Sequence, residues 1–390
     1  MSDIKAAMVA KVDELADVLI EASHDIHEHP ELAFDEHHAH EVLTAILEKQ
    51  GVPVTRHAFG LDTAFDAVVG TEGTTVAICC EYDALPGVGH ACGHNIIATA
   101  GLGAGLAAAA LAADAGGRVR ILGTPAEERG NGKQIEIDNG ALDGVDVAMM
   151  IHPADADLLS MDAIAIAEYE VEFFGVASHA AAFPHLGRNA LDAAVQAYTS
   201  IAALRQHITS TDRIHGIFRK AGERPNIVPE HTVMDWMVRS RTRDGLAPLA
   251  ERVTACFEAG AQATGCRCEY RQSYPALDEV VDNEVMLGLY AANMSSLGRV
   301  PTRPDERARV VGSTDMGNVS KVVPSIHPMI KVAPSGISIH SHEFAKHARS
   351  SAGDEAVILG AKAMAMTIAD LWADRAAVDA AKTELAAYAG

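Results

Sequence analysis

Apolar residues recur at helical spacing through residues 4–27 and again over 36–50, with a turn at His29-Pro30-Glu31 between them. From about residue 65 the pattern changes to short apolar runs. Those at 67–69, 74–80, 118–123 and 145–151 predict strands, and the segments at 96–113 and 133–139 predict helices between them. That alternation implies βαβ units and a doubly wound, mostly parallel sheet. The rhythm shifts near Ala167. Strand signals at 169–175, 213–220, 233–239 and 267–273, with helix signals at 190–206 and 246–264, give the order β-α-β-β-α-β of a ferredoxin-like module. After Tyr274-Pro275-Ala276 the chain returns to the first pattern and ends in a helix over 352–372. The expectation is an α/β domain of residues 1–166 and 277–390, interrupted by an inserted α+β domain of residues 167–276.

At 390 residues the chain can build two cores. Its net charge of -22 argues against nucleic acid or an anionic membrane as partner, since basic patches supply that affinity. No basic n-region followed by an apolar stretch opens the chain, so no secretory signal is expected. The run 96–113, with Gly101, Gly103 and Gly105, has the look of a membrane span or a nucleotide loop. It is short and follows directly on a Cys/His motif, which favours a small-residue helix packed closely on the sheet. Of the six cysteines, Cys79 and Cys80 are adjacent and Cys266 and Cys268 alternate, a poor disulfide framework. Reduced thiols and a cytoplasmic location are expected, with Cys92 set apart by its neighbours.

Four clusters of metal-ligating residue types follow expected strands. Glu81-Tyr82-Asp83 and Cys92-Gly93-His94 follow 74–80, Glu127-Glu128 follows 118–124, His152 follows 145–151, and His340 follows an expected strand at 336–339. In a parallel sheet the carboxyl ends of the strands share one edge, where ligands bind. Cysteine, histidine and glutamate meeting there read as a metal site, with two ions the simplest arrangement. Two ions about 3.5–4 Å apart activate a shared water and polarise a carbonyl. A carboxylate that is not itself a ligand then relays the proton. Adjacent residues in a loop point apart, so one of Glu127 and Glu128 can bind metal while the other faces water. Thiolate and imidazole favour Zn, Co, Ni or Mn over Mg or Ca. Asp83 suits a carboxylate that orients a ligand imidazole.

Glu81-Tyr82-Asp83-Ala84-Leu85-Pro86, His90-Ala91-Cys92-Gly93-His94-Asn95, Pro125-Ala126-Glu127-Glu128, Met150-Ile151-His152-Pro153, Ala177-Ser178-His179-Ala180 and His340-Ser341-His342-Glu343-Phe344 occur in one order. In these motifs the chain resembles metallopeptidase family M20, subfamily D. The wording is closest to the branch holding aminobenzoyl-glutamate hydrolase and β-alanyl-lysine dipeptidase. The resemblance implies two divalent ions, zinc first with manganese, cobalt or nickel as alternatives. It gives Cys92, His94, Glu128, His152 and His340 as ligands, Glu127 as general base, and Asp83 as support for a ligand. It also implies a homodimer through the inserted domain, with His179 reaching the partner's site to stabilise an oxyanion, and Asn226 and Arg239 binding substrate carbonyl or carboxylate. His342 is the rival for the last ligand. Asn95 stands where many relatives have Asp, a change able to alter the site's charge; Asn131 replaces a Gly with no effect expected. Asp315 or Ser313 are candidates to touch substrate, and the His37-His38-Ala39-His40 run reads as an exposed helix face.

The function expected is hydrolysis of the amide bond in a small N-acyl amino acid or unusual dipeptide with a free carboxylate. The alternatives are a simple aminoacylase or hippurate-type hydrolase, a catalytically silent metal-binding scaffold, and a nucleotide-dependent oxidoreductase resting only on residues 101–105 and a generic α/β pattern.

Overall fold

Every residue of the strand Thr75–Cys80 is buried, so its continuous apolar run serves two faces at once. Val76, Ile78 and Cys80 join one hydrophobic cluster, and Ala77 and Cys79 join another on the opposite side. The computed structural model describes residues 3–304 and 311–388 of the chain. They form two compact units: Met1–Asp162 with Val280–Gly390, and Ala163–Glu279.

The first unit is built on a six-stranded sheet in the order Thr55–Arg56, Phe65–Val69, Arg118–Gly123, Thr75–Cys80, Val147–Met149, Ser325–Ile326. The last four strands are parallel, and the first two add an antiparallel edge. On one face pack the helices Asp3–Glu28, His94–Ala115 and Ser351–Ala373. Leu142, Met316, Val319 and Val323 cover the other.

His94–Ala115 and Ser351–Ala373 are long and apolar enough to cross a membrane, and both are mostly buried within the unit. The glycines explain how the first of them fits. A Cβ on Gly101 would lie 2.7 Å from Cys80 Sγ, and one on Gly105 would lie 2.5 Å from Ile121 Cγ1. The helix therefore sits closer to the sheet than any side chain permits.

The second unit is a four-stranded antiparallel sheet in the order Arg267–Gln272, Ala165–Phe174, His231–Ser240, Arg213–Lys220. The helices Ala190–Leu204 and Arg243–Thr264 pack against it. Along His231–Ser240 burial alternates with period two, which puts Met234, Trp236 and Val238 against the helices. The opposite face carries ion pairs, among them Glu170 with Arg271 and Arg219 with Asp235.

One expected strand is absent. Residues 336–339 form a turn with no ladder partner, so His340 arrives on a loop and itself has φ of 62°.

Candidate metal centre

Three neighbouring parallel strands end at one edge and deliver the site. Thr75–Cys80 runs into Glu81-Tyr82-Asp83, Arg118–Gly123 into the loop holding Glu127 and Glu128, and Val147–Met149 leads to His152. Cys92 and His94 flank Gly93, whose φ of 81° makes the tight turn into the helix beginning at His94. A Cβ on Gly93 would also meet Pro153 Cγ at 2.8 Å, so glycine is required there twice over. His340 is brought in by its backbone N–H, which donates to Ala91 O at 2.8 Å.

Two of the triads into which the side chains converge share Cys92, and a third joins Glu81, His94 and Glu127. Ligand atoms of Cys92, His94 and His152 lie within 4.8 Å of one another, as do those of Cys92, Glu128 and His340, so Cys92 belongs to both. Cys92 Sγ is 3.3 Å from His152 Nε2, and His340 Nε2 is 3.4 Å from Glu128 Oε1. Bonds outside the triads set the ring orientations. His94 Nδ1 meets Asp83 Oδ1 at 2.9 Å, and His152 Nδ1 donates to Pro153 O at 2.8 Å; each leaves Nε2 facing inward. Asp83 Oδ2 accepts the Glu128 N–H at 2.9 Å, so one carboxylate holds both a ring and the loop that carries Glu128.

The inward-facing atoms fit cations. His94 Nε2, Glu81 Oε2 and Glu128 Oε1 are buried and have no hydrogen-bond partner among the described residues. Leaving a polar group buried and unpaired costs about 1–3 kcal/mol, more for a charge. His94 Nε2 lies 3.7 Å from Glu81 Oε2, 3.8 Å from Glu128 Oε1 and 3.9 Å from Glu127 Oε2. Divalent ions would satisfy this excess of acceptors, and the Cys, His and Glu donors suit zinc better than magnesium or calcium.

The protonation states follow from burial and charge. Burial, then the charge of Glu128, pushes the Cys92 thiol well above its usual range, so a thiolate needs a cation beside it. Burial depresses His94, but Asp83 and Cys92 outweigh it and hold the imidazole well above its ordinary value. His152 is lowered to about 4 by burial and by His94. Burial, with Glu81 and Glu128 adding repulsion, pushes the Glu127 carboxyl well up, the direction that makes a carboxylate a better proton acceptor.

Sequence reasoning missed the buried support around Glu127. Lys133 Nζ donates to Glu81 Oε1 at 2.5 Å and to Asp315 Oδ1 at 2.6 Å, while Lys133 N donates to Asp315 Oδ2 at 3.1 Å. Asp315, considered above for substrate contact, is thus fully buried with both oxygens committed to Lys133. A lysine at the second position of a short polar helix gives no signal of burial. His327, also buried, has its ring tilted against that of His152 with centroids 5.3 Å apart.

His342 begins the short helix His342–His347, is exposed, and belongs to none of these triads. Asn95 donates to Ser23 Oγ and Ala348 O and takes no part in the cluster. Asn131 caps the helix Gly132–Asp138. The His37–His40 run is only partly exposed, since His40 is buried with Nδ1 on Thr63 O. Within the second unit, His179 is exposed and its Nδ1 accepts from the N–H groups of Ala181 and Ala182. Asn226 lies beside it, its carbonyl accepting the Ala180 N–H. Arg239 is half-buried, with Nε 3.3 Å from His215 Nε2.

Residues 60–370 match the family described as Peptidase family M20/M25/M40. The chain is 39% identical over 384 residues to the mouse (Mus musculus) Xaa-Arg dipeptidase, covering 94% of this chain and 89% of that protein. It is 27% identical over 422 residues to one of the polypeptides of p-aminobenzoyl-glutamate hydrolase from Escherichia coli, with 90% and 88% covered. The fold is shared with a Bacillus subtilis protein described as a dinuclear metal-binding peptidase of family M20, at a TM-score of 0.70 and 20% identity, covering 93% of this chain and 99% of the other. The chain therefore belongs to peptidase family M20/M25/M40 and is a metal-dependent peptidase or amidohydrolase.

Proposed function

We propose that the enzyme cleaves the amide bond of a small dipeptide or N-acyl amino acid bearing a free carboxylate, with a basic C-terminal residue as the first side chain to test. What supports the reading is the pair of triads sharing Cys92, with Glu127 outside both and grouped instead with Glu81 and His94. The choice of a basic residue rests on the likeness to the Xaa-Arg dipeptidase, and an aminobenzoyl-glutamate type of substrate is the second choice.

Cys92, His94 and His152 would hold one divalent ion and Cys92, Glu128 and His340 the other, with zinc the best match to the donors. When bound, such a pair supplies an acidified water and a Lewis acid for the scissile carbonyl. Glu127 takes the proton from the attacking water and returns it to the leaving amine. Asp83 keeps His94 in the tautomer that presents Nε2 inward. Arg239 offers a guanidinium fork to the substrate carboxylate, and Asn226 and His179 donate to the carbonyl oxygen as charge develops there. His179 and Asn226 lie at the opposite end of the four-stranded sheet from Arg239, which supports a homodimer in which the former pair serves the partner's site.

The test is hydrolysis of dipeptides ending in Arg or Lys, aminobenzoyl-glutamate, and acetyl and benzoyl amino acids, each with Zn, Mn or Co. Glu127→Ala should abolish turnover, by about a hundredfold or more, and keep two ions per chain. Retained turnover in that variant rejects Glu127 as base. Activity confined to acyl amino acids makes the enzyme an aminoacylase instead. Silence across the panel with metal bound rejects the substrate class.

A further inference from the structure

The helix His37–Lys49 is preceded by Glu36 at its N-cap, yet that carboxylate makes no bond to its own helix. A carboxylate there ordinarily accepts from the first free N–H groups. That task falls to Glu31, which accepts from His38 N at 2.9 Å and Ala39 N at 3.1 Å. Glu36 turns inward instead and is fully buried. Its Oε1 accepts the Ala126 N–H at 2.8 Å, and its Oε2 accepts the Thr63 hydroxyl at 2.8 Å.

Ala126 is an unusual residue to hold. Its φ is 62°, the left-handed region that disfavours any residue with a Cβ, and it directly precedes Glu127 and Glu128. Gly130 and Asn131 in the same loop also have positive φ, and Gly132 N returns to Ala126 O at 3.3 Å. Left to itself, the Ala126 peptide would relax toward right-handed or extended backbone and turn Glu127 with it. The Glu36 carboxylate is the side-chain acceptor that fixes its N–H.

We propose that Glu36 is a positioning residue for the hydrolysis: by anchoring the Ala126 amide it holds the left-handed turn that aims Glu127. The proposal rests on the amidohydrolase reading for its kinetic consequence, though not for the backbone placement itself. Burial, then the charge of Asp83, pushes the Glu36 carboxyl up to about 7, so the neutral amide of the same shape is the conservative replacement. In Glu36→Gln the side-chain oxygen still accepts from Ala126, and the Thr63 hydroxyl can turn to accept from the new amide. Glu36→Met fills the same space with no acceptor.

The experiment compares these variants for kcat, KM and bound metal, and measures hydrogen–deuterium exchange in the peptide spanning 125–132. Glu36→Gln should stay within about fivefold of wild type. Glu36→Met should lose about tenfold to a hundredfold in kcat, the scale expected of a misplaced catalytic group, with KM and two bound ions retained and faster exchange at 125–132. Adding Ala126→Gly to Glu36→Met should restore most of the loss, because glycine adopts the left-handed turn without an anchor. A purely structural role for Glu36 would give no such rescue. Thr63→Val, which removes the hydroxyl orienting the carboxylate, should show a smaller fall in kcat with the same change in exchange, and it decides the matter if Glu36→Met does not fold. Equal kcat in the Gln and Met variants, or no rescue by Ala126→Gly, overturns the proposal. If wild type hydrolyses nothing in the panel, the functional reading fails separately, and unchanged exchange at 125–132 still rejects the anchor.

Discussion

At the residue scale the centre is shaped by groups outside the triads that share Cys92. Asp83 is the clearest: one oxygen orients His94 and the other restrains the Glu128 peptide. Burial raises its carboxyl, but the charge of His94 and the hydrogen bonds from His94 and the Glu128 N–H together outweigh this and leave it below the usual range. Asp83→Asn keeps the shape and removes the charge, and its amide cannot accept at both positions. Metal affinity should fall about tenfold to a hundredfold, the usual result of losing such a support. Competition against a coloured chelator reads it directly, and unchanged affinity would reject the orienting role. The candidate ligand types and the Glu127-Glu128 pair were legible because thiolate, imidazole and carboxylate are rare together and, His340 apart, follow strands. Glu36, Lys133 and Asp315 were not legible, because a charged residue beside a helix start reads as solvated until the fold buries it.

At the element scale the sequence pattern carried three of the four parallel strands, Thr75–Cys80, Arg118–Gly123 and Val147–Met149, but not Ser325–Ile326, and it carried the β-α-β-β-α-β order of the second unit. It carried the edges poorly. Thr55–Arg56 has too few residues to show a period, and the antiparallel run of Phe65–Val69 against Arg118–Gly123 depends on a chain reversal that no apolar pattern encodes. Residues 336–339 mimicked a strand through their spacing alone. The helix His94–Ala115 shows where composition does fix geometry, since its glycines set the distance to the sheet. On helix propensity alone, Gly105→Ala should stabilise by about 1 kcal/mol. The contact at Ile121 decides otherwise, because a methyl 2.5 Å from Cγ1 forces side chain or helix to move. A net loss of about 1–3 kcal/mol is expected for such overpacking. Urea unfolding measures it, and a stabilised variant would show that the helix has room to retreat from the sheet.

At the scale of the whole molecule the question is how many chains make one working site. Val228 N donates to Ser178 O, and the bridge between His179 and Ile227 places His179 and Asn226 beyond the His231 end of the strand His231–Ser240. Arg239 is near its other end, eight residues on, or about 26 Å at 3.3 Å per residue. A small amide substrate spans much less than that, so one copy of this unit cannot present both groups to one molecule. If His179 serves the partner's site, His179→Ala and Glu127→Ala chains are each inactive alone but complementary when mixed. In a mixed dimer the chain with intact Glu127 receives His179 from its partner, and the second site lacks both. Random exchange of equal amounts makes half of the dimers mixed, each with one working site of two, so about a quarter of wild-type activity should return. Co-refolding or co-expressing the two variants with separable tags, then assaying the mixed species, gives the number. No recovery in purified mixed dimers, or an active monomer by light scattering, would place His179 in its own chain's site or outside catalysis altogether.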